Sequence, residues 1–272
     1  SMLAQRLPGI LPPLSDDEIT ETWALRSLLP QQHSFSRHRP FRSPHHSASA
    51  AAMVGGGSDP KPGEISLAHN GVLFLDELPE FDRKVLEMLR EPLENGLIHI
   101  SRASRQATYP ARFQLVAAMN PCPCGYLGHP AKPCRCTPES IARYRGKISG
   151  PLLDRIDLII EVPALSAAEL TQAAPGEPSA AVRERVLAAR ERQQRRQGKS
   201  NALLNVTELD ELAAIEPEAK AALSAVLEKL SLSARSYHRI LRIARTLADL
   251  AGSDTVNQRH VMQAVSFRRT PS

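Results

Sequence analysis

Between Leu73 and about Val162, short apolar runs alternate with longer stretches of helical period, the pattern of a parallel sheet flanked by helices. Val72-Leu73-Phe74-Leu75 is apolar at every position, as a strand covered on both faces must be, and it stops at Asp76-Glu77. Phe113 to Met119 reads as a second strand ending in Asn120, and Ile156 to Val162, stopped by Pro163, as a third. Between the first two, Asp82 to Leu93 puts Val85, Leu86, Leu89 and Leu93 on one helical face before Asn95-Gly96 ends it. Leu97 to Ala111 alternates polar and small residues around Ser101-Arg102-Ala103-Ser104-Arg105, which predicts a β-hairpin with a basic tip.

Past Pro163 the pattern changes. Ala167 to Ser179 is rich in Ala, Pro and Gly, and helix formers dominate from Ala180 onward. This places an α/β domain over residues 1–165, a linker over 166–180 and an all-helical domain over 181–272. Arg183 to Lys199 carries seven basic and two acidic side chains and reads first as a solvated helix face. Arg235 to Ala251 sets Ile240, Ile243, Ala244, Leu247 and Ala251 on one face and a row of Arg235, Arg239 and Arg242 on the other. A last helix, from about Val256 to Phe267, is expected to open after a Ser253-Asp254 cap and to bury Val261, Ala264 and Val265.

With 272 residues, 42% hydrophobic and 23% charged, the chain has globular composition and length for one large or two modest domains, which excludes a disordered linker. Its net charge of +5 permits an anionic partner such as nucleic acid without demanding one. There is neither a long apolar run nor a secretory leader pattern, so a cytoplasmic protein with reduced thiols and no membrane partner is expected. All four cysteines fall between Cys122 and Cys136, as two Cys-x-Cys arms nine residues apart, a clustering that points to metal rather than a disulfide framework. Cys122, Cys124, Cys134 and Cys136 as a structural Zn²⁺ site is one reading, with His129 a substitute ligand; free thiols are the other.

An apolar strand delivering adjacent acids to the edge of a parallel sheet suits phosphoryl transfer: the first acid holds Mg²⁺, the second polarises the attacking water. By themselves Asp76 and Glu77 read equally well as a helix cap. The neighbouring motifs decide between these. Gly71-Val72-Leu73-Phe74-Leu75-Asp76-Glu77-Leu78-Pro79-Glu80-Phe81 is preceded by Arg39-Pro40-Phe41-Arg42-Ser43-Pro44-His45-His46-Ser47. Ala118-Met119-Asn120-Pro121, Gly150-Pro151-Leu152-Leu153-Asp154-Arg155-Ile156-Asp157 and Leu232-Ser233-Ala234-Arg235 follow it. In this order they resemble the magnesium-chelatase-like AAA+ ATPases of the YifB/ComM type along nearly the whole chain.

The resemblance implies a P-loop AAA+ core with a helical lid, ATP and Mg²⁺ as cofactors, and a ring, expected to be a hexamer, of identical subunits. It makes Asp76 and Glu77 the magnesium-associated and water-activating acids and Asn120 the sensor that orients the water. Arg155 becomes the arginine finger given to a neighbouring subunit, and Arg235 the lid arginine that senses the γ-phosphate. From the residues alone, Arg155 would pair with Asp154 or Asp157, and Arg235 would be a solvated helix start. Members of the family continue a glycine-rich phosphate loop directly into Met2-Leu3-Ala4-Gln5-Arg6-Leu7-Pro8, whereas this chain starts at Ser1. Ser1 is then either the magnesium-binding hydroxyl of that loop or a foreign residue, and this piece is expected to be inactive alone while its parent is an ATPase.

The expected function is an ATP-driven motor on DNA, of the branch-migration or helicase-like kind and related to competence, with Arg102, Arg105, His45 and His46 as pore contacts. Two alternatives stand beside it: the motor subunit of magnesium chelatase, and a non-catalytic, zinc-stapled nucleic-acid-binding module.

Overall fold

The computed structural model describes residues 1–30, 36–57, 60–101, 105–164, 175–230 and 233–268. The backbone divides into two compact units, one built on Ser1–Ile156 and the other on Asp157–Val162 and residues 175–268.

In chain order the first unit contains α1 (Asp16–Ser27), β1 (Phe41–Arg42), β2 (Val72–Leu75), α2 (Arg83–Met88), α3 (Arg90–Asn95), β3 (Leu97–Ser101), β4 (Gln106–Pro110), β5 (Gln114–Ala117) and α4 (Pro138–Arg145). Strand β2 lies between β1 and β5 in a parallel sheet, in register Phe41↔Val72 on one side and Leu75↔Ala117 on the other. The uniformly apolar sequence of β2 follows from that central place: Val72, Leu73 and Leu75 are fully buried and Phe74 is 2% exposed. Gly71 is required just before it, because a Cβ there would sit 2.0 Å from the Pro40 carbonyl oxygen.

The expected hairpin forms, with β3 and β4 antiparallel and Ile98 opposite Tyr109, and Ile98 and Ile100 turned into the core. Of its basic tip, Arg105 is exposed and Arg102 lies outside the described residues. The expected helix over Asp82 to Leu93 is two helices. Pro92 has no N–H to give the Met88 carbonyl and its ring crowds that group, so α2 ends at Met88 and α3 begins at Arg90. Gly96, left-handed at φ 68°, closes α3 as the sequence predicts.

The third strand does not form. Residues 156–162 have no regular structure, and Asp157–Val162 belong to the second unit, where Ile159 N–H donates to the Phe267 carbonyl and Asp157 pairs with Arg239. Its backbone thus meets the end of a helix rather than a strand edge, and Ile160 and Val162 stay exposed.

The second unit is helical: α5 (Ser179–Gln197), α6 (Val206–Leu212), α7 (Pro217–Lys229), α8 (Ala234–Leu250) and α9 (Gln258–Ser266). Leu209, Leu223, Ile240, Ala244, Val261 and Ala264 form its apolar centre. Asn257, not Ser253-Asp254, caps α9, its side chain accepting from His260 N–H while the Asn257 N–H returns to His260 Nδ1. Two arginines of the expected row are engaged inside this unit. Arg239 pairs with Asp157, and the Arg242 guanidinium donates to the Leu204 carbonyl. Ala251, expected in the apolar face of α8, is exposed because the helix has already ended at Leu250. No helix among the described residues is long and apolar enough to cross a membrane.

Candidate functional site

Because β2 and β5 are parallel neighbours, the residues that leave their carboxyl ends share one edge of the sheet. Asp76 and Glu77 follow β2 directly, and Asn120 follows β5 by three residues. The turn is stitched across this edge: Ala118 N–H donates to the Leu75 carbonyl, and Leu78 N–H donates to the Ala118 carbonyl. Open α/β sheets bind ligands in the crevice beyond such strand ends.

Asp76 uses both carboxylate oxygens. Oδ1 accepts the Glu77 N–H at 3.0 Å, and Oδ2 accepts the Ser1 hydroxyl at 2.5 Å. A serine hydroxyl and a carboxylate side by side are hard oxygen donors of the class Mg²⁺ takes, so this donor set fits that ion. Glu77 stands in the left-handed region at φ 53°, ψ 48°, one of three non-glycine residues with positive φ among the described residues. Such a conformation costs about 1–3 kcal/mol and concentrates at functional positions.

Glu77 faces a histidine that the sequence had marked for another purpose. His46 Nδ1 lies 3.2 Å from Glu77 Oε2. The ring of His46 is set against His45, centroids 4.1 Å apart, and edge-on to Phe81, while His45 Nδ1 is held by Ser47. The sequence signal for this contact is thin. Carried forward, the Phe41↔Val72 register brings residue 46 level with residue 77, but a two-residue strand has no periodicity that would announce the register.

Asn120 is followed at once by the cysteine loop. The four Sγ atoms lie within 4.8 Å of one another, and those of Cys122, Cys124 and Cys134 are separated by 3.4, 3.6 and 3.6 Å. Four thiolates at about 2.3 Å from one tetrahedral ion would stand about 3.8 Å apart, so the cluster fits Zn²⁺. His129 is engaged elsewhere, its Nδ1 accepting the N–H groups of Ala131 and Lys132. Cys124 is held down to about 6 by the N–H groups of Arg135 and Tyr126, which makes a thiolate available at neutral pH. The loop is tied down at its start, where Arg145 donates to the Pro121 carbonyl. Tyr144, buried beside it, has its phenol pKa pushed up by burial and the charge of Glu80, against a backbone hydrogen bond with Asn120.

The arginines are placed differently from one another. Arg155 pairs with Glu94 rather than Asp154 or Asp157, donates from a second guanidinium nitrogen to the Pro151 carbonyl, and is 9% exposed in its side chain. Glu94 gave no signal in the sequence, because the pair spans 61 residues. Arg235 is exposed in the first turn of α8. His45 and His46 sit with Glu77, and Arg105 at the hairpin.

Residues 1–170 match the family model described as magnesium chelatase, subunit ChlI, and residues 176–268 match that of the ChlI C-terminal part. An uncharacterized protein of Escherichia coli, YifB, is 52% identical over 271 residues, covering 98% of this chain and 53% of its own length. The competence protein ComM of Haemophilus influenzae is similar to the same degree, at 52% over 271 residues with the same two shares, 98% and 53%. An uncharacterized protein of Mycobacterium tuberculosis is 45% identical over 280 residues, 99% of this chain and 55% of its own. The chain spans about half the length of the curated relatives it matches. It belongs to the magnesium chelatase ChlI family.

Proposed function

We propose that the full-length protein is a cytoplasmic AAA+ ATPase whose subunits assemble in a ring, a hexamer, and move DNA. The observation that carries the reading is the edge of the parallel sheet, where Asp76, bonded to Ser1, and Glu77 follow the carboxyl end of a buried strand and Asn120 comes three residues after that of its parallel neighbour. Ser1 and Asp76 would hold Mg²⁺, which supplies charge neutralisation for the phosphates of ATP. Glu77 polarises the attacking water, and Asn120 orients it. Arg155 reaches the nucleotide of an adjoining subunit by exchanging Glu94 for phosphate, and Arg235 contacts the γ-phosphate from the helical region. The cysteine cluster binds Zn²⁺ and fixes the loop that begins at Asn120.

For DNA as the substrate, support comes from the basic hairpin and from the name of the H. influenzae relative, a competence protein. Arg102 and Arg105 are the contacts we assign to it. The description of the family model favours a second reading, in which the ring serves insertion of magnesium into a porphyrin.

Glu77→Gln in the full-length protein tests the catalytic part. Removing a positioned general base lowers turnover by about 10²–10⁴-fold, with nucleotide binding kept, and equal rates in variant and wild type would end the assignment. The substrate is tested by binding to branched and single-stranded DNA over a salt series. Loss of the Arg105 contact flattens the slope by about one unit if it neutralises a phosphate, and no binding at low salt favours the porphyrin reading.

A further inference from the structure

Among the described residues, the pair His46–Glu77 is built more carefully than a surface ion pair needs. The side chains are 34% and 56% exposed, and pairs so placed contribute about 0–1 kcal/mol to stability. Yet the imidazole is held from three directions. His45 covers one side of its ring at 4.1 Å, tilted by 34°, and is pinned in turn by Ser47, whose backbone N–H and hydroxyl both meet His45 Nδ1. Phe81, itself 3% exposed and so anchored in the core, meets the ring edge-on at 81°. The remaining direction is Nδ1 toward Glu77 Oε2, at 3.2 Å. The partner is constrained as well, since the left-handed backbone at Glu77 aims its side chain away from the course of β2. Two fixed groups face each other at the end of the strand that carries Asp76, and neither stability nor packing accounts for the arrangement.

We propose that His46 is a positioning residue for Glu77. Its Nδ1–H, present in one neutral tautomer and in the imidazolium, is directed at one oxygen of the carboxylate, fixes the orientation of that group and leaves the other oxygen to take a proton from water. The inference rests on the reading of Glu77 as the water-activating acid and adds the group that orients it. It also gives His46 a task different from contact with DNA.

The geometry provides an isosteric control. Asn carries a donor nitrogen on Cγ, where His carries Nδ1, whereas Phe keeps the ring and its packing on His45 and Phe81 but has no donor. In the full-length protein, His46→Phe lowers kcat for ATP by about 10–100-fold, the cost of a misplaced catalytic group, while KM and the thermal midpoint hold. His46→Asn restores most of the lost turnover. Wild-type kcat in His46→Phe, or a His46→Asn as slow as His46→Phe, overturns the inference. So does a loss of DNA affinity at unchanged kcat, which would return His46 to the pore. Glu77→Gln separates the two layers: if it turns over ATP normally, the catalytic reading of Glu77 fails and takes this one with it. If Glu77→Gln is inactive and His46→Phe is not impaired, only the role of His46 is lost.

Discussion

Two buried histidines make the stability of this protein depend on pH, and their hydrogen bonds define the sign. His69 is 1% exposed; its Nδ1 accepts the Arg112 N–H at 3.0 Å and its Nε2 faces Glu21 at 3.0 Å, so it is the neutral Nε2–H tautomer. In the second unit, His260 Nδ1 likewise accepts the N–H of Asn257. Burial pushes both below the ordinary histidine value, for His69 against the pull of Glu21 and for His260 with help from the charge on Arg245. A proton on either Nδ1 would displace the N–H it accepts. The unfolded chain therefore binds more protons as the solution is acidified through the free-histidine value of about 6.5, and stability falls with it. Glu21, held below its usual range by Asn70 and then His69, adds its loss only at lower pH. Thermal midpoints measured between about pH 7.5 and pH 5 should decline, and His69→Gln should flatten that decline; an unchanged slope in the variant would remove His69 from the account. Neither histidine was legible as a structural residue, because each partner is met only in the folded chain or at a cap the sequence placed elsewhere.

At the scale of elements, α8 is organised by charges it was not expected to bury. Arg245 is fully buried and Asp249, one turn on, is 1% exposed in its side chain. Asp249 accepts from Arg245, from Arg196 of α5 at 2.6 Å and from Asn201 at 2.8 Å, while Arg245 also donates to the carbonyls of Ser253 and Asp254. Burial alone would raise the Asp249 pKa, but Arg196, Asn201 and Arg245 outweigh it and hold the carboxylate ionised. Removing one member of such a network strands the others away from water. Asp249→Ala should destabilise the helical unit by about 3–5 kcal/mol in denaturant unfolding, and a cost below about 1 kcal/mol would show the network to be dispensable. The i,i+4 spacing of Arg245 and Asp249 is readable in the sequence. Its burial is not, because the arginine periodicity of this helix invites a solvated stripe, and only the approach of α5 supplies Arg196.

For the molecule as a whole, the cysteine loop gives the most direct test, since it needs no turnover. The chain as purified should hold one zinc, and both a strong chelator and Cys134→Ser should remove it; a chain that never carries metal would leave four thiols with no such role. Each unit has an apolar cluster of its own, one around Leu73, Leu75, Leu86 and Leu152 and one around Leu209, Leu223 and Ile240. Asp157–Val162, read from the sequence as a strand of the first unit, go with the helices.

The amino-acid sequence by itself determined what depends on near neighbours: the buried strand before Asp76, the hairpin from Leu97 to Pro110, the helices after Pro178 and the paired cysteine arms. Periodicity, chain breakers and ligand spacing act over a few residues and survive without a fold. Only the tertiary structure decided which distant groups meet: β1 beside β2, His46 against Glu77, Glu94 on Arg155, Glu21 on His69 and the helix end that claims Ile159. These contacts join residues 31 or more apart, as for His46 and Glu77 across 31, where no local pattern carries the information. Each is selected by which backbone edges and charges remain to be satisfied once the cores have closed.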